Sequence, residues 1–401
     1  MEAANRRPYI PRSVWALGFV SLLMDTSSEA VHAVLPLFLF SALGASTIAV
    51  GLIEGFAEAT ASITKLFSGT LSDRLGKRKA LTVLGYGLSA ITKPVFALAG
   101  TIGWVVAARF TDRVGKGIRG APRDALVVDL TPHEVRGAAF GLRQSLDTVG
   151  ALLGPALALV VMSLSQNSFR TTFWVATIPA LLAVLVLVGA VHEPRTTRTP
   201  SSSAPRMTFR TLCRLGRSYW LLMLIVATFS LARFSEAFLL LRGESLGMKL
   251  AAIPIVMMVM NAVYALSAWP AGAVSDRLGR GVALAFGLLL LVLADILLAV
   301  AGGVAGLLVG VGLWGLHMGF TQGVVAAMVA DRAPSELRGT AFGVMNLVLG
   351  VSALAASSVA GLLWDRSGPS ATFTVGAAFA LVALLFLPAA RAPAGPDTPA
   401  A

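Results

Sequence analysis

Gly69-Thr70-Leu71-Ser72-Asp73-Arg74-Leu75-Gly76-Lys77-Arg78 is followed, 203 residues later, by Gly272-Ala273-Val274-Ser275-Asp276-Arg277-Leu278-Gly279-Arg280. A second pair repeats the pattern. Asp129-Leu130-Thr131-Pro132-His133-Glu134-Val135-Arg136-Gly137 returns, at an offset of 202, as Asp331-Arg332-Ala333-Pro334-Ser335-Glu336-Leu337-Arg338-Gly339. A shorter echo links Ser28-Glu29-Ala30 with Ser235-Glu236-Ala237. Two long matches at nearly one offset mark an internal duplication. Both motifs are polar connections between apolar stretches, so each half is a set of helices joined in the same order. Repeats running in the same direction build two bundles around a central cavity.

The apolar stretches decide the environment. Of 401 residues, 56% are hydrophobic and 13% charged, the latter about half the ~25% of soluble domains. Mean hydropathy is +0.79. Such a chain cannot cover a soluble surface, which excludes a soluble protein. Apolar residues recur along its whole length, which excludes a single anchor carrying an ectodomain. A span needs ~20 apolar residues. The expected spans are 13–40, 47–71, 80–99, 102–128, 136–165 and 171–191, then 219–243, 250–275, 281–301, 304–330, 338–364 and 371–390. The fold class expected is an all-α membrane protein, with twelve transmembrane helices in two pseudo-symmetric six-helix bundles. The bundles cover 1–191 and 219–401. The linker 192–218 holds Pro194, Pro200, Pro205, the run Ser201-Ser202-Ser203 and six arginines, and reads as a basic loop on the membrane surface.

Charge sets the orientation. The formal net charge is +12, which in a soluble chain would suggest nucleic acid. Here Lys and Arg concentrate in the termini, the linker and alternate loops, while Arg170, Arg242, Lys249 and Arg366 occupy the loops on the other side. The positive-inside rule places both termini and the linker in the cytoplasm of a bacterial-type inner membrane. The first span is too long for a signal-peptide core and reads as uncleaved. The expected partners are the lipid bilayer, a small-molecule substrate and protons, with no nucleic acid and a monomeric chain.

No cofactor is expected. One cysteine, Cys213, and four scattered histidines offer neither a disulfide framework nor a metal-ligand spacing. Gly115-Lys116-Gly117 lacks the frame of a nucleotide-binding loop. No constellation suggests catalysis, so the chain is not expected to be an enzyme.

The first decapeptide carries Gly69, Leu71, Asp73, Arg74, Gly76, Lys77 and Arg78 in the order of the signature between helices 2 and 3 of the major facilitator superfamily. The chain resembles that family along nearly all its length. The second copy departs from the signature at Val274 and Gly281, keeping Asp276 and Arg277. Gly150, Gly154 and Pro155 resemble the helix-5 motif of the family's drug–proton antiporters, without its following glycines. Arg113 and Gly117 resemble the helix-4 motif. The resemblance implies alternating access. It also implies an ionic latch at Asp73, with Arg74, Lys77 and Arg78 at the lipid headgroups, and close packing or bending at Gly150, Gly154 and Pro155.

Charges inside the spans are costly, at least ~2.5–3.5 kcal/mol each on insertion scales, so they pair or line water. Asp25, Glu29 and His32 fall at i, i+4, i+7, on one helix face. Glu54 and Glu58 share a face of the second span, and Arg109, Asp112, Arg113 and Lys116 a face of the fourth. Arg143 and Asp147 form an i, i+4 pair. In the second half, Arg233 and Glu236 are intramembrane charges, and His317 with Gln322 could line a substrate site. An acidic stripe facing a basic one describes a buried network, and a carboxylate there that meets or leaves a cation can carry a proton. The expected activity is proton-coupled export of a small molecule. The rival is an importer or exchanger of an organic or inorganic anion held by the basic residues of the fourth span. The two are separated by whether those cations are neutralised by Asp25, Glu29, Glu54 and Glu58 or face the cavity unpaired.

Overall fold

The computed structural model describes residues 9–75, 77–132, 135–193, 212–334 and 337–390. Among these the chain is helical, with no strand. In lipid every backbone N–H and C=O needs an internal partner, and a helix supplies it within one segment. The helices are α1 (Arg12–His32), α2 (Thr47–Leu75), α3 (Arg78–Leu98), α4 (Ile102–Leu130), α5 (Arg136–Leu164), α6 (Phe169–Ala190), α7 (Gly216–Ala232), α8 (Pro254–Leu278), α9 (Arg280–Val300), α10 (Val304–Arg332), α11 (Arg338–Ser367) and α12 (Pro369–Phe386). Ten helical segments among the described residues are long and apolar enough to cross a membrane. The exceptions are α2 and α4, which are long but carry the charges singled out above.

Two expected spans are interrupted. α1 stops at His32, and the chain continues through a turn at Ala33 and Val34 into a short α-turn and a π-turn ending at Ala42. Pro36 explains the break, because its ring lacks an N–H and crowds the carbonyl of the residue four back, which is His32. α7 stops at Ala232 and helix resumes over Ala237–Ser245. No proline lies there. Instead the Ser235 N–H donates to Ser357 Oγ of α11 at 3.1 Å, outside its own helix. The second interruption brings Arg233, Ser235 and Glu236 to the central cavity.

The cores lie unevenly. At the end of the molecule away from the termini, one apolar cluster joins both halves of the sequence. It includes Phe38, Phe96 and Phe173 from the first half and Phe234, Phe238, Trp314 and Phe373 from the second. At the end holding the termini there are two clusters. One draws only on the first half, including Val14, Leu17, Tyr86, Leu126 and Leu187. The other draws only on the second, including Tyr219, Leu222, Leu284, Val329 and Leu387. The buried apolar core is therefore continuous across the halves at the distal end and divided into two at the terminal end.

Candidate substrate cavity and ion network

A cavity of about 560 Å³ lies between the halves. Glu29, His32, Glu54, Glu58, Arg113 and Lys116 form its first-half wall. The second-half wall is aromatic and neutral-polar, with Phe229, Phe234, Trp314, Asn261, Gln322 and Asn346, beside Arg233 and Glu236 at the α7 break. Phe234 and Trp314 belong to the distal cluster and close the cavity at that end.

The acidic and basic stripes do face each other. Arg109 Nη2 donates to Glu54 Oε2 at 2.5 Å, with both side chains almost wholly buried. Arg113 Nη1 lies 2.9 Å from Glu58 Oε1. Arg119 Nη2 lies 3.7 Å from Asp25 Oδ1. Arg123 and Arg143 share Asp124 and Asp147, the closest contact being Arg143 Nη1 to Asp147 Oδ2 at 2.6 Å. The helix-4 guanidinium groups are thus neutralised. The ammonium group of Lys116, on the same helix, is not. It is exposed to the cavity and, among the described residues, has no carboxylate within 4 Å. Arg233 likewise has none, and its Nε lacks a hydrogen-bond partner.

His32 is the junction of the network. Its Nδ1 lies 3.5 Å from Glu29 Oε2 and 4.0 Å from Glu236 Oε2, and its Nε2 lies 3.7 Å from Glu54 Oε2. One imidazole therefore faces three carboxylates, two from the first half and one from the second. Glu29 and Glu236, the acids of the short sequence echo, thus reach one histidine from opposite halves of the chain.

Several expectations need correction. Glu29 meets His32, from its own helix face. Asp25, Arg109 and Asp112 do not line the cavity but sit behind its first-half wall. Asp112 is bound there by Lys93 Nζ at 2.9 Å, and the same ammonium donates to Ser28 Oγ at 3.2 Å. Sequence reasoning missed Lys93. It is the only charge in the middle of α3, so it forms no stripe. Its position beside Pro94 in an apolar run was the available signal. His317 is not a cavity residue either. It is fully buried, with Nδ1 2.8 Å from the Gly287 carbonyl, which fixes the ring between α9 and α10. Gln322 does line the cavity, and its Oε1 accepts from Tyr264 Oη at 3.0 Å.

The glycine motif of α5 holds α1. A Cβ added at Gly154 would lie 2.6 Å from the Cβ of Glu29, and one at Gly150 would lie 2.6 Å from the Leu22 carbonyl and 3.1 Å from the Cβ of Asp25. These two glycines and the buried Pro155 seat α5 on the turns that carry the acidic stripe. Gly154→Ala is accordingly expected to lower the melting temperature of the purified protein by forcing α5 from α1, a cost of ~1–3 kcal/mol. Gly141→Ala on the same helix, where the added carbon meets nothing within 4 Å, is the control. Equal melting temperatures for the two variants would refute the packing role.

At the terminal end, the duplicated connections make equivalent contacts. Arg78 pairs with Asp129 and donates to the Ala125 carbonyl at 3.2 Å. Arg280 pairs with Asp331 and donates to the Ala327 carbonyl at 2.7 Å. Arg78 therefore faces its own half instead of the lipid headgroups, while Lys77 is exposed. Asp276 and Arg277 are exposed at the end of α8. Gly69 lies within α2, whereas Gly76 and the side chains of Asp73 and Arg74 lie outside the described residues, and with them the contact expected of the latch.

Comparison with known proteins gives one answer at three levels. The family model of the Major Facilitator Superfamily matches residues 17–348 and 227–401. An MFS-type transporter of Methanocaldococcus jannaschii is 33% identical over 387 residues, covering 94% of each chain. A cis,cis-muconate transport protein of Acinetobacter baylyi is 24% identical, covering 94% of this chain and 95% of its own. The crystal structure of a peptide transporter, POT, superposes with a TM-score of 0.80 at 16% identity, covering 96% of this chain and 95% of that one. Duplicated loops, a charged cavity between the halves and full-length similarity converge: the chain belongs to the major facilitator superfamily and is a multi-pass membrane transporter, not an enzyme.

Proposed function

We propose that the chain is a proton-coupled secondary transporter that exports a small molecule by alternating access. In this reading all twelve helices cross the inner membrane. They form six-helix bundles over 1–191 and 219–401, joined by the linker 192–218, with both termini cytoplasmic and the chain monomeric. The observation that carries the proposal is His32 within 4.0 Å of Glu29, Glu54 and Glu236. Histidine is the side chain whose ordinary titration spans neutral pH. Its charge decides whether three acids around it are attracted or left repelling one another. Because Glu236 comes from the second half, a proton on this cluster changes the attraction between the halves. A proton that alters the balance of two conformations drives transport when its binding differs between them.

The pairing of Arg109, Arg113 and Arg119 with Glu54, Glu58 and Asp25 favours this reading over anion binding by helix 4 as a whole. A second reading rests on Lys116 and Arg233, which face the cavity from opposite halves without a carboxylate within 4 Å among the described residues. They offer two positive points to an anionic substrate, and a relative is named for transport of a dicarboxylate, cis,cis-muconate. Transport in proteoliposomes separates the two. A pH gradient driving accumulation of neutral or cationic compounds supports the first, and uptake restricted to organic anions, lost in Lys116→Gln and Arg233→Gln together, supports the second. Transport of every tested compound unaltered by a pH gradient would overturn the coupling.

The orientation has its own test. In a background with Cys213→Ser, cysteines at Tyr9 and Arg217 are expected to react with an impermeant thiol reagent only from the cytoplasmic face, and one at Lys249 only from the opposite face. Labelling of positions 9 and 217 from different faces would contradict the six-plus-six topology.

A further inference from the structure

The first turn of α2 is completed by the other half of the molecule. A helix leaves its first N–H groups without intrahelical partners. In α2 the helix's own preceding residue serves one of them, the Ala49 N–H donating to Ser46 Oγ at 3.2 Å. The Thr47 N–H donates to Asp365 Oδ1 at 3.2 Å and the Ile48 N–H to Asp365 Oδ2 at 3.2 Å. The Thr47 hydroxyl also donates to Asp365, and lies 3.3 Å from the Gly361 carbonyl. Asp365 stands in the last turn of α11, in the second half of the chain. Its carboxylate thus spans two N–H groups at the positive end of a first-half helix, where a negative charge is stabilised by the aligned peptide dipoles.

The surrounding backbone is built for this approach. A Cβ at Gly361 would lie 2.6 Å from the Thr47 carbonyl oxygen, and one at Gly51 would lie 2.2 Å from the Ser357 carbonyl oxygen. Both positions tolerate only hydrogen at this separation. The contact sits beside the distal apolar cluster, which joins the halves, and far from the terminal end, where the cores are separate.

We infer that Asp365 is the distal gate lock of the transporter: its carboxylate caps α2 only while the distal end is closed, and releases that helix when the halves part there. This rests on the alternating-access reading above. The lock is directional. Closing the distal end satisfies two backbone donors and neutralises a dipole end, whereas opening it returns the carboxylate and both N–H groups to water. Thr47 adds the hydroxyl contact and is the lock's positioning residue. Asp365 lies outside the cavity lining and does not touch the site where substrate would bind.

The test measures the gate itself. In a Cys213→Ser background, spin labels at Gly100→Cys and Gly302→Cys report the separation of two distal loops from opposite halves. An added side chain meets nothing within 4 Å at either position. Removing a helix cap weakens the capped state by ~0.5–2 kcal/mol, about tenfold in a two-state ratio near the middle of that range. Asp365→Ala is therefore expected to raise the ratio of the longer to the shorter distance about tenfold. Asp365→Asn should give a smaller rise, since an amide oxygen still accepts one bond. If Asp365→Ala does not yield folded protein, Thr47→Val, which removes the hydroxyl alone, is expected to shift the same ratio in the same direction. Two distance populations in the wild type, left in unchanged proportion by the Asp365 and Thr47 variants, would overturn the lock alone. A single population in the wild type at every pH and substrate condition would overturn both the alternating-access reading and the lock.

Discussion

Arg109→Ala is expected to be among the most damaging single substitutions in this chain. Arg109 and Glu54 are each almost fully buried and meet at 2.5 Å. Removing one partner of a buried ion pair strands the other charge in a medium that cannot solvate it, at a cost of ~3–5 kcal/mol. His32 cannot take over the role, being 3.7 Å from Glu54 and already shared with Glu29 and Glu236. Folded yield and melting temperature in detergent should both fall sharply. Apolar replacement of both partners is often neutral for stability, so Arg109→Met with Glu54→Leu should restore the melting temperature. It should not restore pH-driven transport, because Glu54 is one of the three acids around His32. A single Arg109→Ala variant as stable as the wild type would show that the pair carries no structural burden. A double variant with full pH-driven transport would remove Glu54 from the proton cluster.

Glu29→Gln is expected to abolish accumulation driven by a pH gradient while leaving substrate binding in place. Glutamine keeps the shape of the side chain and can still meet His32, but it cannot ionise. The loss therefore falls on proton coupling and not on packing. Asp25 ranked beside Glu29 on sequence spacing, but the geometry separates them. Glu29 lines the cavity and contacts the histidine, whereas Asp25 lies behind the wall against Arg119 at 3.7 Å. Asp25→Asn should thus retain pH dependence and show only a stability loss. The readouts are accumulation against a gradient and, separately, equilibrium binding of the same compound in detergent. Gradient-driven accumulation at the wild-type rate in Glu29→Gln would place the proton site elsewhere. Complete loss of binding in the same variant would reassign Glu29 to substrate recognition.

The helix-5 motif shows how sequence and geometry divide the information. Gly150, Gly154 and Pro155 were legible as a motif of close approach, because residues as small as glycine let helix backbones come together. Which helix they touch was not legible. It is α1, at the turns of Asp25 and Glu29, so the motif and the acidic stripe are one construction. Similarly, the i, i+4 spacing announced Glu54 with Glu58 and Arg109 with Arg113, but pairing in register across two helices depends on their relative height and rotation. Lys93 escaped the pattern because a single charge has no period, although its burial against Asp112 makes it part of the same network. His317 was misplaced for the converse reason. Its neighbours Trp314 and Gln322 do line the cavity, but a helix turns 100° per residue and carries the imidazole to the side facing Gly287.

Local chemistry written along the chain determined the membrane environment, the helical class, the duplication, the family and the set of candidate charges. Apolar length, loop charge and motif spacing act within a segment or between its neighbours, so one dimension is enough to read them. Tertiary structure alone decided which charges share an imidazole, which cations lack a carboxylate within 4 Å among the described residues, where the apolar core joins the halves, and that Asp365 completes a helix more than 300 residues earlier in the chain. Those properties are distances between segments far apart in sequence. They are set by the packing of whole helices against one another, a quantity no local pattern encodes.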